Sequence, residues 1–302
     1  MINFRYHLVS VTAIFLALAI GLVLGTTALN GPTMDGLSET VSSLRGENEN
    51  LRDQIGQLED DAAEDQNFAV EVAPATLADT LEEEKILMVA IGAVDPADVD
   101  AVETMLGYSR ADNVGRLNFT DKFTDPSSSA ALTDLVAELS PTKFEAPNNN
   151  DGVESMSALL AAALLGDGVK VDDRDAVIAA LQELGMVEGS VTDEQASAVI
   201  IVTGETYSDT DAADRNANLL TFAGQFGRTG PTAVAAPTTV GEGNLISSIM
   251  SDAGLAEQIS TVNNVAGPEG QLATILAITE RVDGGVGHYG TGDDATSLVP
   301  GT

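Results

Sequence analysis

"KILMVAIGAVDPADVDAVETMLG", residues 85–107, changes periodicity halfway along. Residues 85–94 form an apolar run bounded by a turn signal, which reads as a strand buried on both faces. Asp95 and Pro96 then stand where a helix begins. An aspartate suits the cap, and proline, with its fixed φ and no N–H to satisfy, suits the first helical position. A fully buried strand that feeds a helix is the building unit of a parallel, helix-covered sheet.

The same alternation continues outward from this stretch. Strands are expected near "VGRLNF" (114–119), "ASAVIIVTG" (196–204), "PTAVAAP" (231–237) and "ISTVNNVAG" (259–267). Helices are expected around 129–139, 153–165, 174–184, 209–226, 243–254 and 268–281, the last opening on Pro268. The fold class is therefore α/β, with a mostly parallel sheet of Rossmann or flavodoxin type. Pro74 and the acidic "LEEEK" place the start of this domain near residue 84, so it is expected over 84–282 with a Gly-rich tail at 283–302.

Upstream, residues 8–29 read "LVSVTAIFLALAIGLVLGTTAL" and carry no charge. A bilayer core is crossed by about 20 such residues in a helix. Secretory signals normally have a shorter apolar region, of about 7–15 residues. The first reading is an uncleaved anchor. A cleaved signal, with Thr26-Thr27-Ala28 as its cut site, is the alternative. Arg5 precedes the span and no Lys or Arg follows until Arg45. The positive-inside rule then puts residues 1–7 in the cytoplasm and the bulk of the chain outside the cell membrane. Ala13, Ala17, Gly21 and Gly25 fall every four positions, a small-residue stripe suited to close helix contact within a membrane.

Between anchor and domain, over 33–73, apolar residues alternate in steps of three and four. Met34, Val41, Asn48 and Ile55 take the a positions of a heptad, and Leu37, Leu44, Leu51 and Leu58 take d. β-Branched residues at a, Leu at d and one Asn at a describe a parallel two-stranded coiled coil, so a homodimer is expected. Glu47 at g can reach Arg52 at e of a partner helix. A helical stretch from 34 to 62 would be roughly 43 Å long. Packing of this helix on its own domain is the competing reading.

Composition removes several chemistries. There are 47 acidic against 13 basic residues, a net charge of −34, which repels nucleic acid. Without cysteine there are no disulfides, thiolate metal sites or cysteine nucleophiles. The two histidines are His7 and His288, too few for a zinc site of the usual kind. No G-x-S-x-G, P-loop or G-x-G-x-x-G pattern stands where it would be needed. The acid groups Asp95, Asp98, Asp100 and Asp209, Asp211, Asp214 lack EF-hand spacing and sit at helix starts, where carboxylates are favoured anyway. Copper(I) prefers clustered Cys or Met, and the seven methionines are dispersed. The residues thus point to a non-enzymatic protein with no catalytic residue, no metal site and no cofactor. A ligand at the sheet edge stays open by analogy of fold. His288 and Tyr289 in "GGVGHYGTG" (284–292) mark either a flexible tail or a docked segment that adds to a binding surface.

"FRYHLVSVTAIFLALAIGLVLG", "KILMVAIGAVDPADVDAV" and the tail "GHYG" together resemble the actinobacterial MctB/SteB-like family over the whole chain. The resemblance implies a cell-envelope protein with one of two roles. One is copper efflux, copper resistance or a copper pore. The other is control of septal peptidoglycan hydrolysis and cell separation with a SteA-like membrane partner and a cell-wall hydrolase or its regulator. The anchor and heptad favour the second, a dimeric membrane-anchored scaffold; copper transport is the alternative.

Overall fold

The computed structural model describes residues 4–30, 32–142, 144–166, 168–237, 243–292 and 295–301, with side chains left undescribed at 27–30 and 32–35. The chain divides into two compact units, Met1–Glu64 and Asp65–Thr302.

The first unit is helical. Helix α1 spans Phe4–Asn30, and α2 spans Pro32–Thr76, crossing from the first unit into the second. Gly31 and the side chain of the a-position Met34 lie outside what the structure describes.

The second unit alternates strands and helices. Its elements are β1 (Lys85–Ile91), α3 (Pro96–Tyr108), β2 (Asp112–Phe119), the short α4 (Asp121–Thr124), α5 (Ser129–Leu139), α6 (Gly152–Leu164), α7 (Val171–Glu183) and β3 (Val187–Val191). After these come β4 (Ala198–Thr203), α8 (Ala212–Thr229), β5 (Thr232–Ala235), α9 (Leu245–Ser251), α10 (Ala253–Ala256), β6 (Ile259–Val262), α11 (Pro268–Val282) and β7 (His288–Tyr289). The strand order is β3-β2-β1-β4-β5-β6-β7. Every pairing is parallel except β2–β3. The expected α/β class with a mostly parallel sheet is the fold observed. No partner chain is present, so the coiled-coil dimer stands as a proposal.

Alternation along β1 builds the two cores. Leu87, Val89 and Ile91 enter one cluster together with residues of α5, α6, α7 and α8. Ile86, Met88 and Ala90 enter the other with residues of α3 and α11. On the first face Phe222 is the hub, its ring centroid 5.0 Å from Phe119, 5.6 Å from Phe123 and 4.8 Å from Phe226. Edge-on aromatic packing of this kind adds to the area buried.

Two features depart from the sequence reading. The compact unit begins at Asp65, about twenty residues before the boundary suggested by Pro74 and "LEEEK". Pro74 falls in the last turn of α2 and the helix ends two residues later. Ala73, Leu77 and Leu81, each no more than 1% exposed, belong to the core on the α3/α11 face. The strand β3 was not expected. It pairs antiparallel with β2 through a reciprocal glycine contact: a Cβ on Gly115 would lie 2.4 Å from the Ser190 carbonyl, and one on Gly189 2.1 Å from that of Arg116. Both glycines have positive φ. Backbone approach replaces side-chain packing at this edge, so "VEGSV" carries no apolar signal.

Replacing Phe222 by Ala would empty the centre of the aromatic cluster and should cost about 3–5 kcal/mol. A urea titration of the full chain in detergent, followed by circular dichroism, would register this as a lower midpoint for the α/β unit.

Candidate functional site

In open parallel sheets, ligands bind outside the carboxyl ends of the strands where the strand order reverses. Here that point lies between β1 and β4. The loop after β1 bridges to the loop after β4 at Ala93 and Glu205. A Cβ on Gly204 would sit 1.7 Å from the Ala93 carbonyl oxygen, so only glycine lets the loops close. Thr203, 2% exposed, has no hydrogen-bond partner for its hydroxyl among the described residues. The remaining cavity, beside Thr203, Asn216 and Asn244, is about 10 Å³. That is at most room for one water.

Of the neighbouring acids, Asp95, Asp100 and Asp209 have local partners. Asp95 accepts from the Ala97 backbone N–H at 2.9 Å and caps α3. Asp98 has its carboxyl pKa raised by burial and then by the charge of Asp95. An incoming phosphate would meet two carboxylates at this helix start. Asp100 is hydrogen-bonded to Arg116. Asp209 pairs with Arg215 at 3.5 Å. Among the described residues no group of three or more His, Cys, Asp or Glu converges as a metal site.

A strap over this edge is pinned by Tyr207. Its hydroxyl donates to Asp121 Oδ1 at 2.6 Å, and the Arg215 guanidinium stacks on its ring at 4.6 Å. Burial and the Asp121 carboxylate push the phenol up to about 12. Asn216 accepts from the Tyr207 N–H and donates to its carbonyl. Sequence reasoning did not single out Tyr207, Asp121 or Arg215, because they lie far apart in the chain.

Four of the seven methionines serve packing. Met88 and Met105 lie in one core and Met156 and Met186 in the other, each no more than 5% exposed.

His288 and Tyr289 form β7 and pair with Thr261 and Val262 of β6. His288 Nδ1 lies 2.9 Å from Thr261 Oγ1. Burial lowers the imidazole pKa, opposed in part by the Ala256 backbone. Tyr289 donates to Glu280, and burial together with that carboxylate raises the phenol pKa. The tail folds back: Thr296 donates from both its N–H and its hydroxyl to the His288 carbonyl at 2.8 Å. The Gly-rich segment is thus the last strand of the sheet, with both aromatic heteroatoms tied to neighbours.

The N-terminal unit presents the opposite picture, an apolar surface exposed along most of its described length. The apolar helix Phe4–Thr26 has a mean hydropathy of 2.6, with none of its most apolar stretch buried. Its length and composition suit a membrane span. Ala13, Ala17 and Gly21 are exposed and Gly25 is half-buried. In α2 the expected seam is open: Leu37, Val41, Leu44, Leu51, Ile55 and Leu58 range from 39% to 68% exposed. Asn48, Glu47 and Arg52 are exposed as well.

The chain matches a family described as "Copper transport outer membrane protein, MctB" over residues 1–300. Among curated relatives, "Copper transporter MctB" of Mycobacterium bovis is 29% identical over 313 residues, covering 99% of each chain. The protein of that name from Mycobacterium leprae is 25% identical over 330 residues, again covering 99% of each. The family description and the apolar helix together establish membrane association.

His288 supplies a pH test of the tail. Its pKa is lower in the folded chain than the ordinary 6.5, so the unfolded tail binds more protons. Docking is fully favoured above about pH 6.5 and weakens as pH falls through the folded value. Amide-exchange protection at Gly290 and Thr296 should therefore drop between pH 7 and 5. His288→Gln should flatten that dependence.

Proposed function

This chain belongs to the MctB family, and from that membership we propose that it takes part in copper transport across the cell envelope as a membrane-anchored assembly of identical chains. The observation that carries the reading is the match over residues 1–300, which includes the apolar helix as well as the α/β unit. Its relatives bear the name copper transporter. Copper is cargo in this reading, and the chain's part is anchorage and assembly.

Physical constraints narrow the mechanism. A single helix encloses no pathway, so an ion path requires several copies or a membrane partner. The seven-stranded sheet is open, mostly parallel and covered by helices, whereas a membrane barrel is closed and antiparallel. Among the described residues, strong copper ligation through sulfur has no exposed methionine cluster to draw on, because four of the methionines are core residues. In this reading the sulfur ligands for copper come from a partner that this chain positions. Arg5 ahead of the span favours a cytoplasmic N-terminus, with the α/β unit outside.

A second reading is favoured by the open seam of α2 with Asn48 among its leucines. In it the same paired chains form a scaffold that works with a SteA-like partner and a cell-wall hydrolase in septal peptidoglycan hydrolysis. Deleting the gene separates the two. The copper reading expects raised cellular copper and growth failure at copper concentrations the parent tolerates, restored by the full chain. The scaffold reading expects normal copper tolerance and chains of unseparated cells.

Pairing has its own test. The triple variant Val41→Asp, Leu44→Asp, Leu51→Asp should weaken self-association of the full chain in detergent by at least about a hundredfold, near 3 kcal/mol. Analytical ultracentrifugation would measure it, with the circular dichroism of the α/β unit as the folding control. Sedimentation of the parent chain as a monomer would refute the pair outright.

A further inference from the structure

A groove of about 500 Å³ lies in the second unit, separate from the strand-order reversal. Phe68 and Val72 of α2 form one wall, Leu272 of α11 another, and Leu298 and Val299 of the tail the third. Its lining is mostly aliphatic and aromatic, and its volume is in the range of pockets that enclose small ligands or a few side chains. Phe68 is 67% exposed and Leu298 48%, so two large apolar groups stand at the lip in water. Singly exposed apolar residues need no explanation, but adjacent ones around a concave surface mark a binding site.

Two polar features define what would fit. Asn264 lines the groove, is 8% exposed, and its Oδ1 has no donor among the described residues. A buried acceptor left unpaired costs about 1–3 kcal/mol. The amide torsion of asparagine is soft, so a donor brought into the groove can be met by a small rotation. The charged residues of the lining, Asp65 and Glu269, are both acidic, and among the described residues no Lys or Arg joins them. The chain carries −34 overall. Anionic amphiphiles are repelled by this rim, and a plain acyl chain offers nothing to Asn264.

We propose that this groove binds a short segment of a partner protein in which aliphatic side chains are flanked by lysine or arginine. The aliphatic groups fill the space between Phe68, Leu272 and Leu298. A backbone N–H of the segment satisfies Asn264, and the flanking cations meet Asp65 and Glu269. Such an arrangement follows the common pattern of an apolar anchor surrounded by complementary charge. The proposal is independent of whether the chain serves copper transport or septal control.

The test uses the full chain in nanodiscs of phosphatidylcholine, with empty discs as the control. Three blocked six-residue peptides share a central Leu-Leu and carry flanks of lysine, serine or glutamate. Isothermal titration should give at least tenfold tighter binding for the lysine peptide than for the serine peptide, and none for the glutamate peptide. The double variant Asp65→Asn, Glu269→Gln should remove the preference for lysine over serine. The double variant Phe68→Ser, Leu298→Ser, at exposed positions where folding is unaffected, should weaken the lysine peptide at least tenfold while the melting temperature holds. Absence of binding by the lysine peptide at millimolar concentration would overturn the proposal. So would binding unchanged by Phe68→Ser, Leu298→Ser, which would mark general attraction to an acidic surface.

Discussion

The α/β unit depends on the pairing of β1 with β4. Residues Ile86–Ile91 and Ala198–Thr203 are all at most 2% exposed, so both faces of this strand pair are removed from water. A strand pair buried on two faces cannot be covered from one side. It requires helices above and below, which forces crossover connections and hence parallel strands. The two core clusters are the two sides of this one constraint. At about 25 cal/mol per Å² of apolar surface, the central strands are also where truncation costs most.

The same constraint explains why the usual ligand position is occupied by protein. Strands β1 and β4 end side by side, and their following loops meet at Ala93, Gly204 and Glu205. Closing those loops satisfies backbone groups that a bound ligand would otherwise have to meet. The strap pinned by Tyr207, Asp121 and Arg215 then sits on a filled edge. The proposed recognition groove lies elsewhere, on a surface formed by α2, α11 and the tail.

Much of this was legible in the sequence, and the rest was hidden for physical reasons. β1 and β4 announce themselves because two-sided burial demands continuous apolar runs, and α3 does so through Asp95 and Pro96. β3 is invisible because its contact with β2 is backbone against backbone at Gly115 and Gly189. β7 has two residues, and its pairing depends on β6 and on the fold-back of Thr296. The stretch 69–81 was obscured by Pro74, although Ala69, Ala73, Leu77 and Leu81 recur every four residues. The groove escapes sequence reading altogether, since its walls come from 65–72, 264–272 and 291–299. By contrast the heptad of α2 is fully legible, and it remains exposed in the single chain.

That exposure bears on how the first unit works. Gly36, Gly46 and Gly56 lie off the seam, yet each costs about 1 kcal/mol of helix stability. In the proposed coil, Asn48 at an a position would select register and partner number while lowering stability further. A coil weakened in this way is a poor dimer in dilute solution. Two chains tethered by apolar helices in one membrane meet at a far higher effective concentration, which for short tethers reaches the millimolar range. Affinities too weak to matter in solution would then suffice, and the proposed pairing would respond to how many chains occupy the same patch of membrane. In the proposed pair, marginal stability and anchorage would be complementary: the anchor would supply the concentration, and the glycines and Asn48 would keep the association reversible and in register.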